Sequence, residues 1–145
     1  MAFRFPLATV LRFRDNIEKR EELALQKILQ EIARTRLQIE QLSATIIQAQ
    51  AARNKSLERP ISAYQLQALV REIDAIIGRR KALIESLVPL QQKREAQMTV
   101  YQAAHRDRQM LSDMATRQRD AYEQQQARAQ QKFLDDIFAA RAQRS

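Results

Sequence analysis

Residues 66–90 read LQALVREIDAIIGRRKALIESLVPL, and their spacing decides the fold. Leu66, Leu69, Ile73, Ile76, Leu83, Leu87 and Leu90 recur at alternating steps of three and four, with Arg80 in the one polar slot. Such steps put every apolar side chain on one narrow face of a helix, the a/d seam that packs helix against helix. The heptad continues through Arg94, Gln97, Tyr101, Ala104, Arg108, Leu111, Ala115, Gln118, Tyr122, Gln125 and Ala129. Most of these are polar or small, so the seam is expected to pack less tightly there. The cluster Phe133, Leu134, Ile137 and Phe138 restores apolar character near the end.

Upstream, a second seam reads Leu7, Val10, Arg14, Ile17, Glu21, Ala24, Ile28, Ile32, Thr35, Ile39, Leu42, Ile46, Ala49 and Arg53. The two consecutive steps of four at Ala24, Ile28 and Ile32 resemble a stutter. Pro6 suits a first helical turn, where its missing N–H has no intrahelical partner to lose. Phe3, Phe5, Leu7 and Phe13 make an aromatic start, read as a plug against the other helix in preference to a docking patch. Pro60 cannot continue the hydrogen-bond ladder, and Arg59 before it is steered out of the α region. Ser62 and Gln65 then have capping-box spacing. The predicted organisation is one coiled-coil unit over 1–145, with a helix over 6–56, a turn over 57–61 and a helix over 62–142. The fold class is all-α, a long two-helix antiparallel coiled-coil hairpin. Gly78 and Pro89 are the breakers within it, costing about 1 and about 3 kcal/mol in a helix interior. They mark a candidate bend or a short tip helix. A single turn at 57–61 sets Leu7 near Leu111 and leaves 112–142 overhanging. A second turn near Gly78 makes 62–77 a short helix instead.

Composition excludes most other classes. One Gly and three Pro in 145 residues are too few for the many turns of a β or α/β domain. One His and no Cys remove most transition-metal chemistry and all disulfide chemistry. No stretch approaches the roughly 18 apolar residues of a membrane span. Arg4, Arg12 and Arg14 interrupt the apolar N-terminus, so it has no secretory h-region. The expected location is cytoplasmic. The net charge of +8 points to an anionic partner or to simple solubility of a thin rod. The arginines are spread along both helices without an aromatic stacking stripe, so no nucleic acid is expected as partner.

No constellation of catalytic, metal-binding or cofactor-binding residues emerges. His105 has no Cys or His neighbour and reads as a rim residue. Asp135 and Asp136 lie on a helix with no further carboxylate at loop spacing, and read as solvated charges. There is no Gly-rich loop for phosphate. Two paired helices also offer no water-excluding pocket for a small-molecule substrate. The chain is therefore read as a binding protein, not an enzyme. Arg79, Arg80 and Lys81 form the densest basic cluster.

The opening Phe3-Arg4-Phe5-Pro6-Leu7, followed by Val10-Leu11-Arg12-Phe13-Arg14, resembles the start of the FliJ family of the flagellar type III export apparatus. The tail, with Arg117, Arg119, Tyr122 and then Lys132-Phe133-Leu134-Asp135-Asp136-Ile137, is similar as well. The resemblance implies a coiled coil like the two-helix stalk of a rotary ATPase. It implies binding and stimulation of the hexameric export ATPase FliI, contact with the export gate protein FlhA, and escort of late-substrate export chaperones. It places the protein in the cytoplasm, peripheral to the inner membrane. The residues it suggests for the ATPase-facing end are Phe3, Phe5, Arg12, Arg14, Phe133 and Phe138. Those corresponding to the gate-binding face are Leu42, Ile46, Leu69, Ile73 and Ile76. The alternatives are the equivalent stalk of a virulence type III secretion system and a basic nucleic-acid-binding coiled coil.

Overall fold

The computed structural model describes residues 2–144. They form two helices packed antiparallel as a coiled-coil hairpin, α1 over Ala8–Ser56 and α2 over Ala63–Arg144, with no strand among the described residues. Pro6 and Leu7 form a turn whose first bond runs from Ala8 N to the Phe5 carbonyl, at 3.1 Å. α1 closes through bonds whose span shortens from four residues to three. Leu57 N donates to the Arg53 carbonyl at 3.0 Å, then Glu58 N to Lys55 and Arg59 N to Ser56, both at 3.3 Å. Arg53 and Lys55 lie in that last turn, where cations meet the negative end of the helix dipole. After Pro60, the capping box forms. Gln65 N donates to Ser62 Oγ at 3.2 Å, and Ser62 N donates to Gln65 Oε1 at 3.3 Å.

The packing divides the chain into two compact units. One comprises Glu22–Val100 and contains the turn. Leu25, Ile32, Ile46, Ile73 and Leu90 are its buried apolar side chains. Thr35 is buried among them, with its hydroxyl returned to the Glu31 carbonyl at 2.9 Å. Arg80 crosses from α2 to donate to Ser43 Oγ on α1 at 3.4 Å. Arg53 enters the seam and leaves its buried Nε without a partner. The other unit joins the residues up to Glu21 with those from Tyr101 onward. Its antiparallel sense is visible in its pairs: Phe3 lies against Tyr122, Arg14 against Asp107 and Glu18 against His105.

Burial corrects the seam of α1 by one position at its start. The covered residues run Leu11, Arg14, Glu18, Glu21, Leu25, Ile28, Ile32, Thr35 and onward, always in steps of three and four. No stutter is present. Val10 is exposed, while Ile17 and Ala24 sit beside the seam with less cover than Glu18 and Leu25. Hydrophobicity had favoured Val10 and Ile17 over their neighbours. The periodicity that actually governs burial admits a carboxylate at position 18.

α2 continues through Gly78 and Pro89, so neither residue ends the helix and no tip helix forms over 62–77. Seam burial on both sides of Gly78 outweighs its cost of about 1 kcal/mol. Its backbone is not in the left-handed region, and an added Cβ would meet nothing within 4 Å. Neither conformation nor packing within the chain requires glycine there. Gly78→Ala should therefore raise stability by about 0.5–1 kcal/mol. A denaturant midpoint that falls instead would show that the helix is not regular at that point.

Candidate functional site

The surface available to partners differs along α2. Cover by α1 is regular as far as Ala115 and ends with Tyr122, whose ring centroid lies 5.6 Å from that of Phe3. Residues 123–144 are exposed apart from the half-covered Ile137, so Gln125 and Ala129 face solvent, as does Gln118 before them. The stretch not covered by α1 thus begins after Tyr122, not at residue 112, because Phe3 and Phe5 extend the cover beyond the first turn of α1. On this stretch Phe133, Leu134, Ile137 and Phe138 share one helical face. Phe133 is 66% exposed and Phe138 is 63% exposed. Large apolar side chains grouped on a solvated face mark a contact surface more often than isolated ones do.

The N-terminal aromatics separate into two roles. Phe3 and Phe5 are half-buried and act as the expected plug, whereas Phe13 is 60% exposed and does not. Arg12 is exposed beside a shallow groove lined by Ala8, Leu11, Asp15, Arg108 and Ser112. Arg14 is tied to Asp107 at 3.4 Å in a half-exposed ion pair, a contact of small energetic weight. Of the ATPase-end candidates, Phe3, Phe5, Arg12 and Arg14 thus gather at the start of α1, while Phe133 and Phe138 stand on the stretch of α2 that α1 does not cover.

The gate-face candidates belong to the other unit. Ile46 and Ile73 are buried in the seam, and Leu42, Leu69 and Ile76 are half-buried along it. Leu42 reaches the surface in a shallow groove with Gln38, Gln41, Thr45, Arg79, Ala82 and Leu83. Leu69 borders another, with Ser56, Ile61, Gln65, Ala68 and Glu72. Charge is even between the units. Thirteen basic and nine acidic residues lie in the terminal one, twelve and eight in the turn-containing one. No single basic stripe stands out.

Sequence reasoning missed one polar cluster altogether. Glu18 is only 8% exposed, and its carboxylate accepts from Arg108 Nε and Nη2 and lies 3.0 Å from His105 Nδ1. The Arg108 guanidinium, and next the His105 ring, hold the Glu18 carboxyl below its usual range, against the opposing effect of burial. The same bond pushes Arg108 above the ordinary arginine value. The signal in the sequence was only that Arg108 already occupied a seam slot. His105 is committed to this cluster, and no group of metal-ligating side chains occurs among the described residues. No helix among them is long and apolar enough to cross a membrane.

A carboxyl with a depressed folded-state pKa contributes stability above its unfolded pKa, and that contribution is lost as pH falls through the lower folded value. Glu18→Gln should cost about 1–3 kcal/mol at neutral pH, the range for a hydrogen bond to a charged group. The difference from wild type should shrink as pH drops below about 4, where unfolded carboxylates protonate. Thermal melts followed by circular dichroism at neutral and acid pH would read this. A constant difference across that range would contradict the assignment.

The family model described as flagellar FliJ protein matches residues 3–145. Comparison with curated proteins and with solved structures gave no match. A family match over nearly the whole chain, on two antiparallel helices, establishes that the chain belongs to the FliJ family and is a component of the flagellar export apparatus.

Proposed function

We propose that this chain is a non-enzymatic stalk of the flagellar type III export apparatus, which binds the hexameric export ATPase FliI and stimulates its hydrolysis. The observation that carries this reading is the stretch of α2 beyond the cover of α1, with Phe133 and Phe138 exposed on a continuous helix. An aromatic ridge in a stretch where Arg128, Lys132, Arg141 and Arg144 outnumber Glu123, Asp135 and Asp136 suits a ring lined by apolar and acidic side chains. Backbone hydrogen bonds keep the stretch helical while its side chains stay free to adjust to more than one pose.

Phe3, Phe5, Arg12 and Arg14 complete the ATPase-facing end. Phe3 and Phe5 fix the first turn of α1 beside Tyr122, and Arg12 and Arg14 add charge. The turn-containing unit is assigned to the gate protein FlhA. Leu42 and Leu69 offer surface there, and Ile46, Ile73 and Ile76 hold the seam that shapes it. Escort of late-substrate chaperones belongs to the same reading, as does a cytoplasmic position peripheral to the inner membrane.

Added to purified FliI, the chain should raise the rate of ATP hydrolysis. Phe133→Ala with Phe138→Ala should shift the half-maximal concentration upward by about tenfold or more, the effect of truncating interface anchors. Circular dichroism should show unchanged helicity, since neither ring is packed within the chain. Absence of stimulation by the wild type would overturn the function. Stimulation unchanged in the double variant would overturn the site.

A further inference from the structure

Apolar cover is unequal between the two units. The buried apolar residues Leu25, Ile32, Ile46, Ile73 and Leu90 all lie in the turn-containing unit, and among the described residues the terminal unit has only Ala104. The seam positions of α1 in the terminal unit are Leu11, Arg14, Glu18 and Glu21, three of the four charged. This part of α1 is held by polar and ring contacts instead. Arg14 meets Asp107 at 3.4 Å. Glu18 meets Arg108 and, at 3.0 Å, His105. Phe3 lies against Tyr122 with ring centroids 5.6 Å apart.

Such contacts differ in kind from a leucine layer. An apolar side chain drawn out of a seam loses its cover and is not compensated by water. Glu18 and Arg108, drawn apart, recover the hydration that burial took from them, so their pairing is near break-even against solvent. The half-exposed pair of Arg14 and Asp107 is weaker still. The helical part of α1 in this unit is also short. Residues 8–21 fall at the roughly 12–15 residues below which an isolated helix is marginal in water. Off α2, this segment has little to keep it helical, so its release is a local unfolding that the leucine and isoleucine layers of the turn-containing unit need not share.

We infer that residues 3–21 form a clasp, closed over α2 by an ionic latch at Glu18, which opens while the turn-containing unit stays paired. Opening bares Tyr101, Ala104, Leu111 and Met114, all covered or half-covered in the closed form. Uncovered α2 then begins near residue 101 instead of after Tyr122. The chain thus has two forms that present different lengths of α2. The latch is light but selective, because the Glu18 carboxylate is matched under cover only when it lies against Arg108 and His105. The clasp is a property of the chain by itself and does not depend on the ATPase contact proposed above.

The test uses the full chain, which has no cysteine of its own, with spin labels on two pairs of exposed positions. Asn16→Cys with Ala103→Cys reports on the terminal unit. Ala44→Cys with Ala75→Cys occupies the same heptad positions in the turn-containing one. Double electron–electron resonance should show, at the first pair, a close distance and a minor longer one. Glu18→Arg should raise the ratio of open to closed about tenfold or more, because its guanidinium would stand under cover against Arg108. Glu18→Arg with Arg108→Glu should restore the close distance. The second pair should keep one narrow distance in every variant. A first pair that shows only the close distance, or that ignores Glu18→Arg, would overturn the clasp. Broadening of both pairs together would show that the hairpin melts as one and overturn it too. Opening by Glu18→Arg that the exchanged pair fails to reverse would overturn the ionic latch.

Discussion

Everything in this structure depends on a seam one residue deep. Two helices alone can shield only the side chains directly between them, so among the described residues no large side chain is fully buried and few reach the cover of a globular core. Stability must accumulate along the length of the pair. A thin seam therefore tolerates polar residues most readily where they find a partner at their own level, Arg53 with its unpartnered buried Nε being an exception. Thr35 returns its hydroxyl to its own helix, Arg80 finds Ser43, and Glu18 finds Arg108 and His105.

The Glu18 cluster shows what such tolerance provides. A carboxylate in the seam is acceptable only opposite its guanidinium, so any other alignment would leave a covered charge unmatched. A buried ion pair of this kind adds little net stability against leucines of the same volume, yet it penalises a slipped register heavily. Leucine and isoleucine layers slide by a heptad at little cost; a Glu–Arg layer does not. The terminal unit, where the α2 seam turns polar and small, is where such a lock has most to do.

Much of this was legible in the sequence, for identifiable reasons. The three-four spacing over 66–90, the break at Pro60 and the Ser62/Gln65 cap are local signals, and each appears as read. The errors came where a local preference met a long-range one. Val10, Ile17 and Ala24 were favoured over Leu11, Glu18 and Leu25 because an a/d search looks for apolar residues, and position 18 carries a charge. Its partners lie about ninety residues away, outside any local window. The end of cover at Tyr122 depends on where Phe3 comes to rest, which no spacing rule encodes. Gly78 looked like punctuation, but a single glycine yields to a seam that continues on both sides. The partner surfaces were less legible still. Exposure separates Phe133 and Phe138 from Phe3 and Phe5, and sequence alone treats all four as aromatic termini.

The central claim is that the stretch of α2 beyond the cover of α1 becomes the element held by the ATPase. Hydrogen exchange read peptide by peptide tests it most directly. Without α1 beside it, a helix of this length frays, so amides in 123–144 should exchange faster than those of the seam around Ile32, Ile46 and Ile73. Adding FliI should slow exchange in 123–144 and in the first turns of α1, and leave the seam of the turn-containing unit as it was. Protection that appears only around that seam, or no change at the end of α2, would contradict the account.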